Sequence, residues 1–240
     1  AFVHMSSSAL FGAPDRSPIT EQTPVRPVEV YGRAKAAGEQ EARRIIGRTT
    51  MPLLVIRPRT ILGEGRLGIF QIFFEWIKEG KNVYTIGPGE GGFQFVHAHD
   101  LMDLYLLALA AGRPGVYNVG TDRFGSLREA YQNLIAHAGT GSRVVPLPIG
   151  PSIAALRLLD FLRLSPLAPW HYLTYHKPFY FDVSPLLQMG WKPRYSNDEM
   201  FRESYDDFLA SYDRRLAERA GSAHRRPVKE LMLRAVKRFS

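Results

Sequence analysis

No cysteine occurs in the 240 residues. Disulfide bridges and thiolate catalysis are therefore excluded, and the composition suits a reducing compartment, with the cytoplasm as the expected location. No apolar run reaches transmembrane length, and the opening Ala1-Phe2-Val3-His4-Met5 lacks the basic start of a signal peptide. Internal repeats and low-complexity segments are missing as well. Basic residues are not interleaved with aromatics in any nucleic-acid-binding pattern, so no nucleic-acid partner is expected.

The net charge of +8 is uneven. Residues 222–240 hold Arg225, Arg226, Lys229, Arg234, Lys237 and Arg238 against Glu230, which is +5 and leaves +3 for the rest. Within this tail Val228, Leu231, Met232, Ala235, Val236 and Phe239 fall on one helical stripe. A weak contact with a membrane surface or a partner fits that pattern, and a solvated terminal extension fits it equally.

With 45% apolar residues the chain can bury a sizeable core. Strand-like runs are expected at Phe2–Met5 (buried), Leu53–Arg57 (buried, parallel), Val83–Ile86, Phe93–His97, Val116–Val119 and Arg143–Leu147. Helical patterns cover about Val28–Ile46, Leu67–Lys78, Leu101–Ala111, the stretch after Ser126, Ile153–Leu164 and the stretch after Ser196. Ser126-x-x-Glu129 and Ser196-x-x-Glu199 read as capping boxes, and Asp100 as the cap of the helix it precedes. Alternating strands and helices argue for an α/β fold.

Tyr31-Gly32-Arg33-Ala34-Lys35 carries the chemistry. In a helix, residues four apart share a face, and an ammonium beside a phenol favours the phenolate. Such a phenol can exchange protons with a hydroxyl or carbonyl. Ser6-Ser7-Ser8, at the end of the first apolar run, offers hydroxyls for the same substrate oxygen.

Phe2 through Gly12, the loop Pro18-Ile19-Thr20-Glu21 with Pro24 and Pro27, and Tyr31 to Lys35 with Glu39 resemble the extended short-chain dehydrogenases/reductases. This is the NAD(P)-dependent epimerase/dehydratase family. Arg57-Pro58-Arg59-Thr60-Ile61-Leu62-Gly63, Phe95-Val96-His97-Ala98-His99-Asp100-Leu101 and Tyr117-Asn118-Val119-Gly120 resemble its later signatures, in order. The resemblance implies the C-terminal part of a Rossmann-type doubly wound parallel sheet plus a smaller α/β substrate domain. Residues 1–62 would be the remnant of the dinucleotide-binding domain, 63–220 mainly the substrate domain with returning Rossmann elements, and 221–240 the basic amphipathic tail. It implies Ser7, Tyr31 and Lys35 as catalytic residues, and Tyr31, Lys35, Ile56 and Pro58 against NAD or NADP. Ser8, Arg57 and Arg66 are the substrate-binding candidates, Arg57 having a salt bridge as its other role, and a homodimer is an expected assembly.

The family's opening glycine-rich strand–turn–helix, which takes the cofactor pyrophosphate, has no counterpart, so the chain as written is expected to bind NAD(P) poorly. Gly63-Glu64-Gly65-Arg66-Leu67-Gly68 fits the spacing, but the strand Leu53–Ile56 ends several residues too early. Gly87–Gly92 reads as a hairpin connection. His97 and His99 lack a third ligand at a recognisable spacing, so no metal is expected and structural roles are. The aromatic run Trp170 to Phe181 reads as core or cleft wall.

The expected substrate is a small molecule with a secondary alcohol or ketone, a nucleotide sugar first. Phe93-Gln94 replaces the arginine that grips a diphosphate in the family, leaving Arg57, Arg59 or Arg66 to substitute. An apolar Phe93 would also suit a steroid-type ketone, as in a 3β-hydroxysteroid dehydrogenase. A truncated, non-catalytic fragment is the alternative of a different kind.

Overall fold

The computed structural model describes residues 1–221 except 163, 164, 166 and 168, with side chains described up to 212. The basic tail therefore lies outside the described residues.

Strand β1 (Phe2–Met5) leads through a 3-10 turn (Ser8–Phe11) and a long loop to helix α1 (Val30–Ile46). Next come β2 (Leu53–Pro58), β3 (Thr60–Leu62), α2 (Phe70–Lys78), β4 (Val83–Ile86) and β5 (Phe95–His97). Helix α3 (Ala98–Ala111), β6 (Gly115–Val119), α4 (Leu127–Ala138) and β7 (Val144–Leu147) follow. Helices α5 (Ile149–Phe161), α6 (Pro169–Thr174), α7 (Ser184–Gln188) and α8 (Asn197–Gly221) complete the described chain.

All the strands pair in parallel. The sheet order is β1-β2-β6, with Met5 opposite Ile56 and Ile56 opposite Tyr117. Parallel neighbours cannot be joined by a tight turn, so α1 crosses from β1 to β2 and α3 lies between β2 and β6 in the chain. β2 is central, and Leu54, Val55 and Ile56 are fully buried, as a strand covered on both faces must be. β1 is present where expected but only partly buried: Phe2 and Met5 are exposed and Val3 and His4 half-buried, since among the described residues β2 is its one partner in the sheet.

Beyond β2 two more parallel pairs form, β3 with β5 and β4 with β7. Gly87–Gly92 is therefore not a hairpin connection, since β4 and β5 enter different pairs. Phe93 lies outside β5 and makes its own bridge to Phe179. α2 starts at Phe70 rather than Leu67 because Gly68 holds a positive φ of 51°. α1 starts at Val30 rather than Val28, its N-cap Glu29 being extended. α5 begins earlier than expected, at Ile149, with Pro151 in its first turn, where no N–H is required. Both capping boxes form: Ser126 Oγ accepts from Glu129 N at 3.1 Å, and Ser196 Oγ from Glu199 N at 3.3 Å. An aromatic cluster of Phe70, Phe74, Phe95 and Phe201, with edge-to-face contacts at 5.1–6.3 Å, locks α2 and α8 onto β5.

Asp100 is not a helix cap. His97 occupies the N-cap of α3, its Nδ1 accepting from His99 N at 3.2 Å. The Asp100 carboxylate instead accepts from Arg194 N and Tyr195 N at 3.0 and 3.1 Å, tying the loop before α8 to α3.

Candidate active site

The site forms where β1 ends. Ser6 N donates to Ile56 O at 2.7 Å, continuing the parallel ladder one residue past the strand. Ser7 is extended, and its Oγ accepts from Ala9 N at 3.2 Å, capping the 3-10 turn. With that lone pair used, the Ser7 hydroxyl retains its proton for donation to another oxygen.

Helix α1 presses directly on this turn. A Cβ at Gly32 would lie 2.6 Å from Ala9 O, so only glycine permits the approach. The neighbouring Tyr31 is 53% exposed, which leaves its phenol accessible. Lys35, one turn on, donates from Nζ to Met5 O at 3.0 Å and stands 5.8 Å from the Tyr31 ring centroid. The helix thus brings Lys35 to the carboxyl end of β1, two residues before Ser7, with the Tyr31 ring alongside the lysine. Lysine has three N–H donors, and the bond to Met5 O occupies one of them.

Glu39, one more turn along α1, anchors the helix to the sheet. Its carboxylate takes two hydrogen bonds from Arg57, at 2.8 Å from Nε and 2.6 Å from Nη2, and both residues are 5% exposed. Burial pushes the Glu39 carboxyl up. The hydrogen bonds from Arg57 and its charge outweigh that and hold it below the usual carboxylate range. Arg57 also lies 5.2 Å over the Phe11 ring. Arg57 thus takes the salt-bridge role that was its other expectation, with Nε and Nη2 both on Glu39. The periodicity of α1 carries this partner, because Glu39 lies four residues after Lys35 and eight after Tyr31.

The remaining candidates are placed as follows. Ile56 and Pro58 are buried within β2, and the Ile56 carbonyl is taken by Ser6 N. Ser8 is 3% exposed, and its Oγ accepts from Arg59 Nη1 at 3.2 Å, a contact sequence reasoning missed. Arg59 is interior as well, and so is not placed to grip a diphosphate. Arg66 is exposed on the loop between β3 and α2. In that loop Gly63 N donates to Ser204 Oγ at 3.2 Å and Gly65 N to Asp207 Oδ2 at 3.1 Å. Amides already bonded to α8, one of them to a carboxylate, do not form a pyrophosphate cradle. Buried His97 stacks on Tyr195 at 3.7 Å between ring centroids, with Nε2 3.2 Å from the Glu203 carboxylate. Burial lowers its pKa, and its role is to pack the β5–α3 corner against α8.

Residues 1–120 match the model of the NAD dependent epimerase/dehydratase family. The chain belongs to that family. The uncharacterized protein y4nG of Sinorhizobium fredii is 42% identical over 233 residues, covering 97% of this chain and 59% of that protein. The probable UDP-arabinose 4-epimerase 3 of Arabidopsis thaliana is 27% identical over 215 residues, 79% of this chain and 51% of that one. The chain thus spans about half to three-fifths of these two relatives. Among solved structures, UDP-glucuronic acid 4-epimerase from Bacillus cereus in complex with NAD superposes with a TM-score of 0.68 at 18% identity, over 88% of this chain and 62% of that one. UDP-glucose 4-epimerase from Thermotoga maritima with UDP-glucose gives 0.66 at 22%, over 88% and 64%. Those two likenesses establish the family's Rossmann-like α/β fold.

The family implies a nicotinamide cofactor. One end of it fits the residues present: an exposed phenol, a lysine with N–H donors beyond the one on Met5 O, and a serine proton at the carboxyl end of a parallel strand. Among the described residues no glycine-rich turn runs from a strand of the main sheet directly into a helix, so none is assigned to the pyrophosphate.

Proposed function

We propose that this chain carries the acid–base site of an NAD(P)-dependent epimerase- or dehydratase-type oxidoreductase acting at a secondary alcohol or its ketone, with a nucleotide sugar as substrate. The observation that carries the reading is Lys35, bonded to the carbonyl that ends β1 while flanking the exposed Tyr31 ring. A bound nicotinamide would supply hydride acceptance and return at the alcohol carbon. Ser7 donates its proton as a hydrogen bond to the reacting oxygen and steadies the charge that develops there. Tyr31 takes up the hydroxyl proton and gives it back when the ketone is reduced. Lys35, beside the ring, offsets the negative charge on the phenol oxygen, and its remaining N–H groups would hold the cofactor ribose. Glu39 and Arg57 fix the helix register that makes these contacts coincide.

The sugar-nucleotide part of the reading is supported by the relatives named as UDP-sugar 4-epimerases. With Arg57 paired and Arg59 interior, the exposed Arg66 is the candidate cation for a diphosphate. The steroid-type alternative loses its footing, because Phe93 is 1% exposed and packs on Phe95, Tyr175 and Phe179 instead of facing a cleft. The test incubates the natural protein and NAD⁺ with a panel of UDP-hexoses, UDP-pentoses and UDP-uronates, read by NMR at C4. Conversion of at least one to its 4-epimer or 4-keto product is expected. A protein shown to hold cofactor that turns over none of them would refute the substrate class.

A further inference from the structure

Arg59 is the most fully buried cation described. Its side chain is 1% exposed and stacks between aromatic rings, with Cζ 3.8 Å from the Phe179 centroid, 4.8 Å from Phe93 and 5.8 Å from Phe181. Nε donates to Gln94 O at 3.0 Å and Nη1 to Ser8 Oγ at 3.2 Å, whereas Nη2 is buried without a hydrogen-bond partner. Among the described residues no carboxylate lies within ion-pair distance of it. The buried carboxylate of Glu39 is already neutralised by Arg57.

Burial of an unpaired cation is costly unless something compensates it, and structural arginines of this kind normally face a carboxylate. Here the compensation is aromatic faces and two neutral oxygens. Burial lowers the basicity of Arg59 to about 9, so the charge is still held at neutral pH. The phenol of Tyr175, which feels this charge, is no counter-ion, because its own burial drives it well above the ordinary range and keeps it neutral. The positive charge therefore has no counter-ion among the described residues, and it is hydrogen-bonded to the residue next to Ser7. A low-dielectric interior transmits such a charge farther than water does.

We infer that Arg59 is a positioning residue of the active site: acting through Ser8, it fixes the Ser7–Ser8 turn and makes that turn favourable to negative charge on the reacting oxygen. The neighbouring framework is built to hold it. Gln94, 0% exposed, binds Thr121 O at 2.7 Å and Phe181 N at 2.9 Å, so the carbonyl that receives Arg59 Nε cannot drift. The functional meaning of this inference rests on reading Ser7 as the site of the reacting oxygen, but its test needs neither substrate nor cofactor.

Because the chain has no cysteine, Ser7→Cys introduces a single thiol whose ionisation reports the local potential. The rate of its alkylation by iodoacetamide is followed from pH 5 to 10 in otherwise native protein, in Arg59→Met and in Arg59→Lys, each checked for a cooperative melt. Loss of the charge should raise the thiol pKa by about one unit, and lysine at that position should restore most of the shift below pH 8. Equal thiol pKa values in the native and Arg59→Met backgrounds would overturn the inference. If Arg59→Met does not fold, Ser7→Cys is compared with Ser7→Cys combined with Ser8→Ala, which cuts the bond from Arg59 to the turn. A higher thiol pKa in the combined variant supports the proposal, and an unchanged one refutes it. The alkylation result stands apart from the sugar-nucleotide assay: failure of one leaves the other readable.

Discussion

Replacing Glu39 by glutamine is the perturbation whose cost the structure defines best. The substitution keeps shape and volume but leaves Arg57 charged at 5% exposure, with its two short hydrogen bonds at 2.6 and 2.8 Å weakened or lost. Breaking one side of a buried ion pair costs about 3–5 kcal/mol, because the remaining charge loses its compensation. At roughly 2–4 °C per kcal/mol for a chain of this size, the melting temperature should fall by about 10 °C. The pH dependence follows from the lowered Glu39 pKa. Its stabilisation is fully present above the unfolded carboxylate value, about 4.3, and is lost as pH falls through the lower folded value. The gap between native protein and Glu39→Gln should therefore be widest near pH 6–7 and close as the solution is acidified below about pH 4. Removing both charges in Glu39→Leu with Arg57→Met should recover most of the loss. Thermal and urea melts at pH 3 and pH 7 measure all three quantities. A Glu39→Gln variant within about 0.5 kcal/mol of native protein at pH 7 would show that the pair does not anchor α1.

Three further outcomes follow from named contacts. Gly32→Ala forces α1 away from Ala9 O, now 2.6 Å from where the new Cβ would sit; it should lower the melting temperature and, in the natural protein, depress turnover more than substrate affinity. Ser126→Ala removes the hydroxyl half of a complete capping box on α4 and should cost about 1 kcal/mol without altering turnover, as urea melts and steady-state rates will show. Trp191→Phe deletes the 3.0 Å donor to Asp100 O and should destabilise by about 1 kcal/mol; an unchanged urea midpoint would mean that this bond adds nothing.

The legible part of the molecule was the part with strong local periodicity. Leu53–Ile56 declared a strand buried on both faces, Ser126 and Ser196 announced their helices, and Tyr31, Lys35 and Glu39 recur on one face of α1. What could not be read depends on contacts remote in sequence. The pairing of β4 with β7 rather than with the adjacent β5 is set by packing across some sixty residues, whereas glycines between two short strands look locally like a hairpin. Asp100 had the local signature of a cap, but its partners Arg194 and Tyr195 lie about ninety-five residues away. Arg57 and Arg59 look alike in sequence. One pairs with a carboxylate on α1 and the other enters an aromatic box built from Phe93, Phe179 and Phe181, and no pattern along Arg57-Pro58-Arg59 separates the two fates.

The measurement that bears most directly on the acid–base site is turnover by Tyr31→Phe in the natural protein, beside its thermal melt. Tyr31 is half exposed, so deleting its hydroxyl should leave the melting temperature within a degree or two. The reaction should slow by at least the roughly 10²–10⁴-fold that general acid–base catalysis contributes, with cofactor affinity little changed. A folded Tyr31→Phe protein that turns over at close to the native rate would contradict the assignment of Tyr31, Lys35 and Ser7 as the site.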